Sequence, residues 1–252
     1  MNLLETIITF ISYIRQKEKR PLIQIAKEFK KLNGIEIGGP SDIFKLKGAM
    51  PIYLYANQVD GVNFSNATIW EGRIQEGNSY NYHKNDFGYQ FIAEGTNLSA
   101  IANDKYDFAL SSHSLEHIAN PIKALKEWCR VLKPGAKFVL ILPNKDFTFD
   151  RKRPITKFEH LLEDELNNTQ EDDTTHFEEV NQLHDMELDK VLGTREALIK
   201  RTGLNATYRT VHHHVFDFEL IKKMLTHTGF EVGYQQNYAP FHMVTIARKN
   251  SL

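Results

Sequence analysis

YDFALSSHSLEHIANPIKALKEWCRVLKPG, Tyr106 to Gly135, is the stretch that decides the fold. Tyr106–Ser111 is a short apolar run of strand length, and the polar residues after it break that run. From Ala119 onward Ile122, Leu125, Cys129 and Leu132 return at helical spacing, until Lys133, Pro134 and Gly135 stop the helix. The next apolar run is KFVLILP, 137–143. A strand, a helix and a second strand in that order form a crossover between parallel strands. Parallel sheets bind ligands beyond the carboxyl ends of their strands, which places the SSHSLEH turn at a ligand site.

Three further runs of the same kind precede it: GIEI (34–37), QVDGVNF (58–64) and GYQFIA (88–93). The first ends in Gly38 and Gly39 followed by PSD, a turn in which the missing Cβ atoms allow close approach to the backbone. Strand and helix pattern returns in HVFDFELIKKMLTHTGFEVGYQQ, and FHMVTIARK reads as a last strand. The chain is therefore expected to be α/β, with a mostly parallel sheet covered on both faces.

The 252 residues suffice for one large domain with an elaborate insertion. Hydrophobic residues at 41% and charged residues at 25% are an ordinary globular balance. A net charge of -1 gives no global reason to expect nucleic acid or an anionic membrane as partner. The single cysteine, Cys129, cannot form an internal disulfide and is expected to be a buried, inert thiol in a reducing, cytoplasmic setting.

Charge is nevertheless segregated. Phe158–Asp189 holds 12 acidic residues and no Lys or Arg, so the other 220 residues carry a formal +11. This stretch is expected to lie in a helical insertion at about 150–210, after the fifth strand, acting as a lid over the site or as a solvated acidic face. Residues 1–30 are expected to be a helical segment, with 31–252 as the main domain. Leu4, Ile7, Ile8, Ile11 and Ile14 share one helical face, which suggests a docking or homodimer helix, with an interfacial membrane helix as the lesser alternative. The run is too short to cross a membrane.

IEIGGPS, VDGVNFS, AEGTNLSAI, YDFALSSHSLEHI, RVLKPGAKFVLILPN and LTHTGFEV, taken in order and spacing, resemble the successive motifs of class I S-adenosylmethionine-dependent methyltransferases. The resemblance implies a Rossmann-like, doubly wound, mostly parallel seven-stranded sheet with helices on both faces. It implies S-adenosylmethionine as cofactor, with Gly38 and Gly39 bared to its methionine part. Glu36 would organise that turn or reach the cofactor amino group, and the Ser111 carbonyl would hold that amino group. Glu94 would face the adenine amino group and the Gly95 amide the ring. At the position of the usual ribose-binding acid stands Asn63, which lacks a two-acceptor carboxylate; Glu71 could assist. GGPSDI lacks the third glycine of a dinucleotide site, which counts against a nicotinamide oxidoreductase.

Methyl transfer from a sulfonium is an in-line displacement, and a base is needed only where the acceptor loses a proton. His113, just after the fourth strand, is the first candidate base, and His212 in the internal HHH triplet the second. His117 reads as a structural residue of its turn, and Glu116 as a cap or cofactor-side acceptor. No metal is expected, since His176, His184 and the triplet stand at no recognised ligand spacing. The expected acceptor is a small molecule or glycan, methylated on oxygen, and not a nucleic acid. A non-catalytic binding or scaffold protein of the same fold is the alternative, supported by Asn63.

Overall fold

The computed structural model describes residues 3–251. In chain order its elements begin with α1 (Leu3–Arg15), α2 (Arg20–Lys27), β1 (Asn33–Ile37) and β2 (Gln58–Asn63). A small hairpin, β3 (Ala67–Thr68) with β4 (Gly72–Arg73), precedes β5 (Gly77–His83) and β6 (Asp86–Ile92). Then come β7 (Tyr106–Ser112), α3 (Pro121–Val131) and β8 (Leu132–Pro143). The insertion carries α4 (Phe158–Leu166), α5 (Phe177–Leu183), α6 (Arg195–Gly203) and α7 (Asn205–Tyr208), and α8 (Phe218–His227), β9 (Phe230–Tyr238) and β10 (His242–Lys249) close the chain.

Among the described residues the main sheet has eight strands in the order β5-β6-β2-β1-β7-β8-β10-β9. The five from β6 to β8 are mutually parallel, and β10 runs antiparallel to β8. The sheet therefore has one strand more than the seven expected. The addition is β5, which pairs antiparallel with β6 at the edge. Its sequence, GNSYNYH, is too polar to stand out as a strand, yet Tyr80 and Tyr82 alternate inward and are buried.

Period-two alternation sends Ile35, Ile37, Ala109, Phe138 and Leu140 to one face, and Val59, Phe108, Leu110, Val139 and Ile141 to the other. The first face is covered by α3 and α8 through Leu125, Trp128, Ile221 and Leu225. The second is covered by α2 and by the short turns carrying Phe44 and Tyr53. Asn120 caps α3 by accepting from the Lys123 amide at 3.1 Å, and Pro121 fills its first turn. Trp128 is wholly buried and is among the largest side chains of the core. Its Nε1 donates to the Gly95 carbonyl at 2.8 Å, so α3 also fixes the loop after β6.

One expectation needs amendment. Cys129 is only half-buried, though its burial does push the thiol up. In α1 it is Glu5 and Thr9 that are buried, Glu5 against His83 and Lys84, while Leu4, Ile7, Phe10, Ile11 and Ile14 are exposed. The apolar face of α1 thus points away from its own domain. No described helix is long and apolar enough to cross a membrane.

Candidate active site

A cavity of about 880 Å³ opens at the carboxyl ends of the parallel strands. Ile37 and Gly38 line it from β1, Asn63 from β2, Glu94 and Gly95 after β6, and His113 after β7. The hairpin contributes Trp70 and Glu71, and the insertion contributes Phe149, Glu171, Leu188, Asp189, Arg209 and His212. The acidic stretch is therefore part of the cavity wall.

The glycine turn is held from below. Glu36 is fully buried and does not line the cavity. Its carboxylate accepts from the Ser41 amide at 3.1 Å, Ser41 Oγ at 2.6 Å, Tyr80 OH at 2.7 Å and Tyr53 OH. Burial raises the Glu36 carboxyl above its usual range, partly countered by these donors. Its hydrogen bonds to Ser41 hold the turn that follows Gly38 and Gly39.

Gly38 sits at φ +84°, and a Cβ there would come within 2.0 Å of Ser114 Oγ. It lines the cavity, as its proposed cofactor role requires. Gly39 does not line it; a Cβ there would strike Glu36 Cδ at 2.2 Å and Tyr80 OH at 2.3 Å, so this glycine makes room for the buried cluster. Asn63 lines the cavity and donates from Nδ2 to the Gly39 carbonyl at 3.1 Å. Ser111 is fully buried and outside the lining, with Oγ lacking a partner, and its neighbour Ser112 reaches the cavity instead.

Glu94 meets Arg209 at 2.6 Å, and Arg209 also pairs with Glu171. This bridge ties the loop after β6 to the insertion. Burial raises the Glu94 carboxyl, with Arg209 opposing. Arg209 is 115 residues from Glu94 in sequence, and no sequence pattern marks the pair.

The cavity is also lined by three imidazoles, those of His113, His117 and His212. His113, at φ +53°, places Nε2 2.7 Å from His242 Nδ1 and Nδ1 3.5 Å from Glu116 Oε1. Glu116 is 1% exposed, and neither carboxylate oxygen has a hydrogen-bond partner. Burial alone would raise its carboxyl, but His113, His117 and His212 outweigh that and hold it below its usual range. His117 is pushed down to about 3, chiefly by burial, and its Nδ1 lies 3.1 Å from the Val211 carbonyl. His212 Nδ1 contacts Asp150 Oδ2 at 2.5 Å. Burial would lower His212, but Asp150 more than offsets this and raises it. Asp150 is fixed in turn by Arg153 at 2.9 Å. Donor atoms of Glu116, His117 and His212 lie within 4.8 Å of one another, close enough to converge on one hydroxyl or one cation.

The glycine cradle, the loop after β6 and the histidines His113, His117 and His212 line one cavity. A sequence profile described as "Methyltransferase domain" matches residues 10–235. The chain belongs to this family. It is a methyltransferase. A solved S-adenosylmethionine-dependent methyltransferase from Mesorhizobium loti is 13% identical, with 92% of this chain and 98% of that one covered and a TM-score of 0.54. Another from Methanosarcina mazei is 19% identical over 90% of this methyltransferase and 97% of the other, with a TM-score of 0.50. At these identities the likeness shows the shared fold. No curated protein matches the methyltransferase sequence.

The lining suits the cofactor. The Cβ-free cradle at Gly38 lies at a strand end against Ser114, and the Glu94 carboxylate and Asn63 side chain line the same cavity. The missing third glycine leaves no pyrophosphate cradle.

Proposed function

We propose that this methyltransferase acts on a small polar molecule or glycan and transfers the methyl group to a hydroxyl oxygen. The observation that carries this reading is the imidazole-rich lining, in which His113, Glu116 and the Asp150-oriented His212 share one cavity with the glycine cradle. The bound sulfonium cofactor would supply the electrophilic methyl carbon. Gly38, Asn63, Glu94 and Gly95 would hold and orient it, with Glu36 and Ser111 acting from beneath the turn. The acceptor oxygen would attack in line with the breaking bond, so alignment and exclusion of water matter most. A hydroxyl must lose its proton as it attacks, and His113 and His212 would accept it. The insertion would close over the acceptor, with Glu171 and Asp189 in the wall disfavouring polyphosphate chains. The exposed apolar face of α1 offers a surface for a homodimer.

The test is a screen of sugars and related hydroxyl compounds with methyl-labelled cofactor, followed by His113→Ala and His212→Asn. Loss of turnover by about 100-fold in one variant, with cofactor affinity intact, supports base-assisted O-transfer. Label incorporated only on nitrogen or into protein overturns the acceptor class. Gly38→Ala is expected to abolish cofactor binding in a folded protein.

A further inference from the structure

Outside the cavity wall, the insertion gathers a second set of histidines. His160 lies in α4, His176 at the residue before α5, and His214 in the segment that leads back to α8. One donor nitrogen from each falls within 4.8 Å of the others. His160 Nε2 and His176 Nε2 are only 3.0 Å apart. Nitrogen ligands about 2.0–2.1 Å from a tetrahedral zinc ion stand roughly 3.3 Å from one another, which is close to this spacing.

The surroundings fit a ligand set better than a closed hydrogen-bond network. His214 is wholly buried, and its Nε2 faces the Ala119 carbonyl at 3.1 Å. That contact assigns the proton to Nε2 and leaves a lone pair on Nδ1, a buried atom without a partner. Asp164, one helical turn from His160 on α4, is 7% exposed and uses Oδ1 for Thr169. Its Oδ2 is buried without a hydrogen-bond partner, 3.5 Å from His160 Nε2 and 3.6 Å from His214 Nε2. A proton shared between His160 and His176 would satisfy those two rings and still leave the Asp164 oxygen and His214 Nδ1 unpaired. Such orphaned buried groups cost about 1–3 kcal/mol each. One cation answers both, and three neutral imidazoles beside a carboxylate are a donor set for zinc-class ions.

We propose that His160, His176 and His214 bind one divalent transition-metal ion, of which zinc is the type, with Asp164 supplying negative charge at its edge. The ion staples α4, the start of α5 and the 212–216 segment together, and so holds the acidic insertion in shape beside the cavity. His160, partly exposed, gives the ion its route from solvent. The spacing escaped the sequence reading because two ligands are 16 residues apart and the third lies 38 residues further on.

The test is elemental analysis of the full chain, freed of any histidine tag and purified without chelator. About one equivalent of zinc per chain is expected. Stripping with chelator should lower the melting temperature, and zinc should restore it. Cobalt loaded in place of zinc should give the visible absorption bands of a tetrahedral site. His160→Asn and His176→Ala should each lose the ion and the cobalt bands. Titration with S-adenosylmethionine shows whether each variant remains folded, since these residues lie outside the cofactor cradle. Absence of metal, thermal shift and cobalt bands in a folded wild-type protein overturns the proposal. Retention of the ion by a folded His160→Asn/His176→Ala double variant overturns the assignment of ligands.

Discussion

Asn63 gives its side-chain amide to the carbonyl of Gly39, joining the end of β2 to the glycine turn after β1 at 3.1 Å. The departure from the usual acid is thus built into the turn, because a carboxylate has no proton to donate there. Asn63→Asp should place a buried charge against a carbonyl and cost about 1–3 kcal/mol. Urea denaturation measures this. Calorimetry should show no gain in cofactor affinity, although the substitution restores the family's acidic residue. A tenfold gain would mean that Asn63 is a weakened ribose ligand and that its bond to Gly39 is incidental.

Tyr80 and Glu36 make the corresponding prediction for stability. The Tyr80 hydroxyl is one of the donors to a carboxylate with no access to water, and its removal cannot be made good by solvent. Tyr80→Phe should destabilise the protein by about 1.5–3 kcal/mol, the range for hydrogen bonds to charged groups. An unchanged denaturation midpoint would indicate that Glu36 is protonated and needs fewer donors. Cofactor affinity should fall with stability, because Gly39 packs directly on this cluster.

The legible parts of this molecule are those whose chemistry repeats locally. The strands β1, β7 and β8 are apolar runs buried on both faces, and α3 announces itself through its spacing and its Pro-Gly stop. Gly38, Asn63, Glu94 and Gly95 were found through motif order, and all four line the cavity. Glu36, Gly39 and Ser111 came from the same motifs but lie one layer deeper, a distinction of side-chain direction that spacing does not carry. What stayed hidden is long-range pairing. Tyr80 reaches Glu36 across 44 residues from a strand too polar to recognise, and Arg209 reaches Glu94 from the far end of the insertion. In α1 the spacing makes the apolar stripe legible as a face, and most of that face is exposed.

Arg209 is the hinge between the insertion and the loop after β6, with one guanidinium between Glu94 and Glu171. Arg209→Met keeps much of the side-chain bulk and leaves two carboxylates facing each other across the cavity wall. Repulsion should open that wall and raise the Kd for the cofactor by about 5–30-fold, equivalent to about 1–2 kcal/mol. Arg209→Lys should recover only part of the affinity, because one ammonium cannot present a fork to two carboxylates. Equal affinity in wild type and Arg209→Met would show that the bridge does not bear on the cofactor.

His242 contributes a term of known sign to the protein's response to acid. Burial pushes its imidazole down to about 4, and the neighbouring His113, with Nε2 2.7 Å from His242 Nδ1, adds to the effect. In the unfolded chain the same ring titrates near its ordinary 6.5. Between those values the unfolded state therefore holds more of the proton, and stability must rise with pH across that window. The contribution is complete above pH 6.5 and is lost progressively as pH falls toward 4. His242→Gln removes the titration while keeping a polar side chain at the position. Melting temperatures at pH 7.5 and pH 5 should therefore differ less in His242→Gln than in the wild type. If the variant falls as steeply on acidification as the wild type, the acid sensitivity arises elsewhere and His242 is not held neutral by its surroundings.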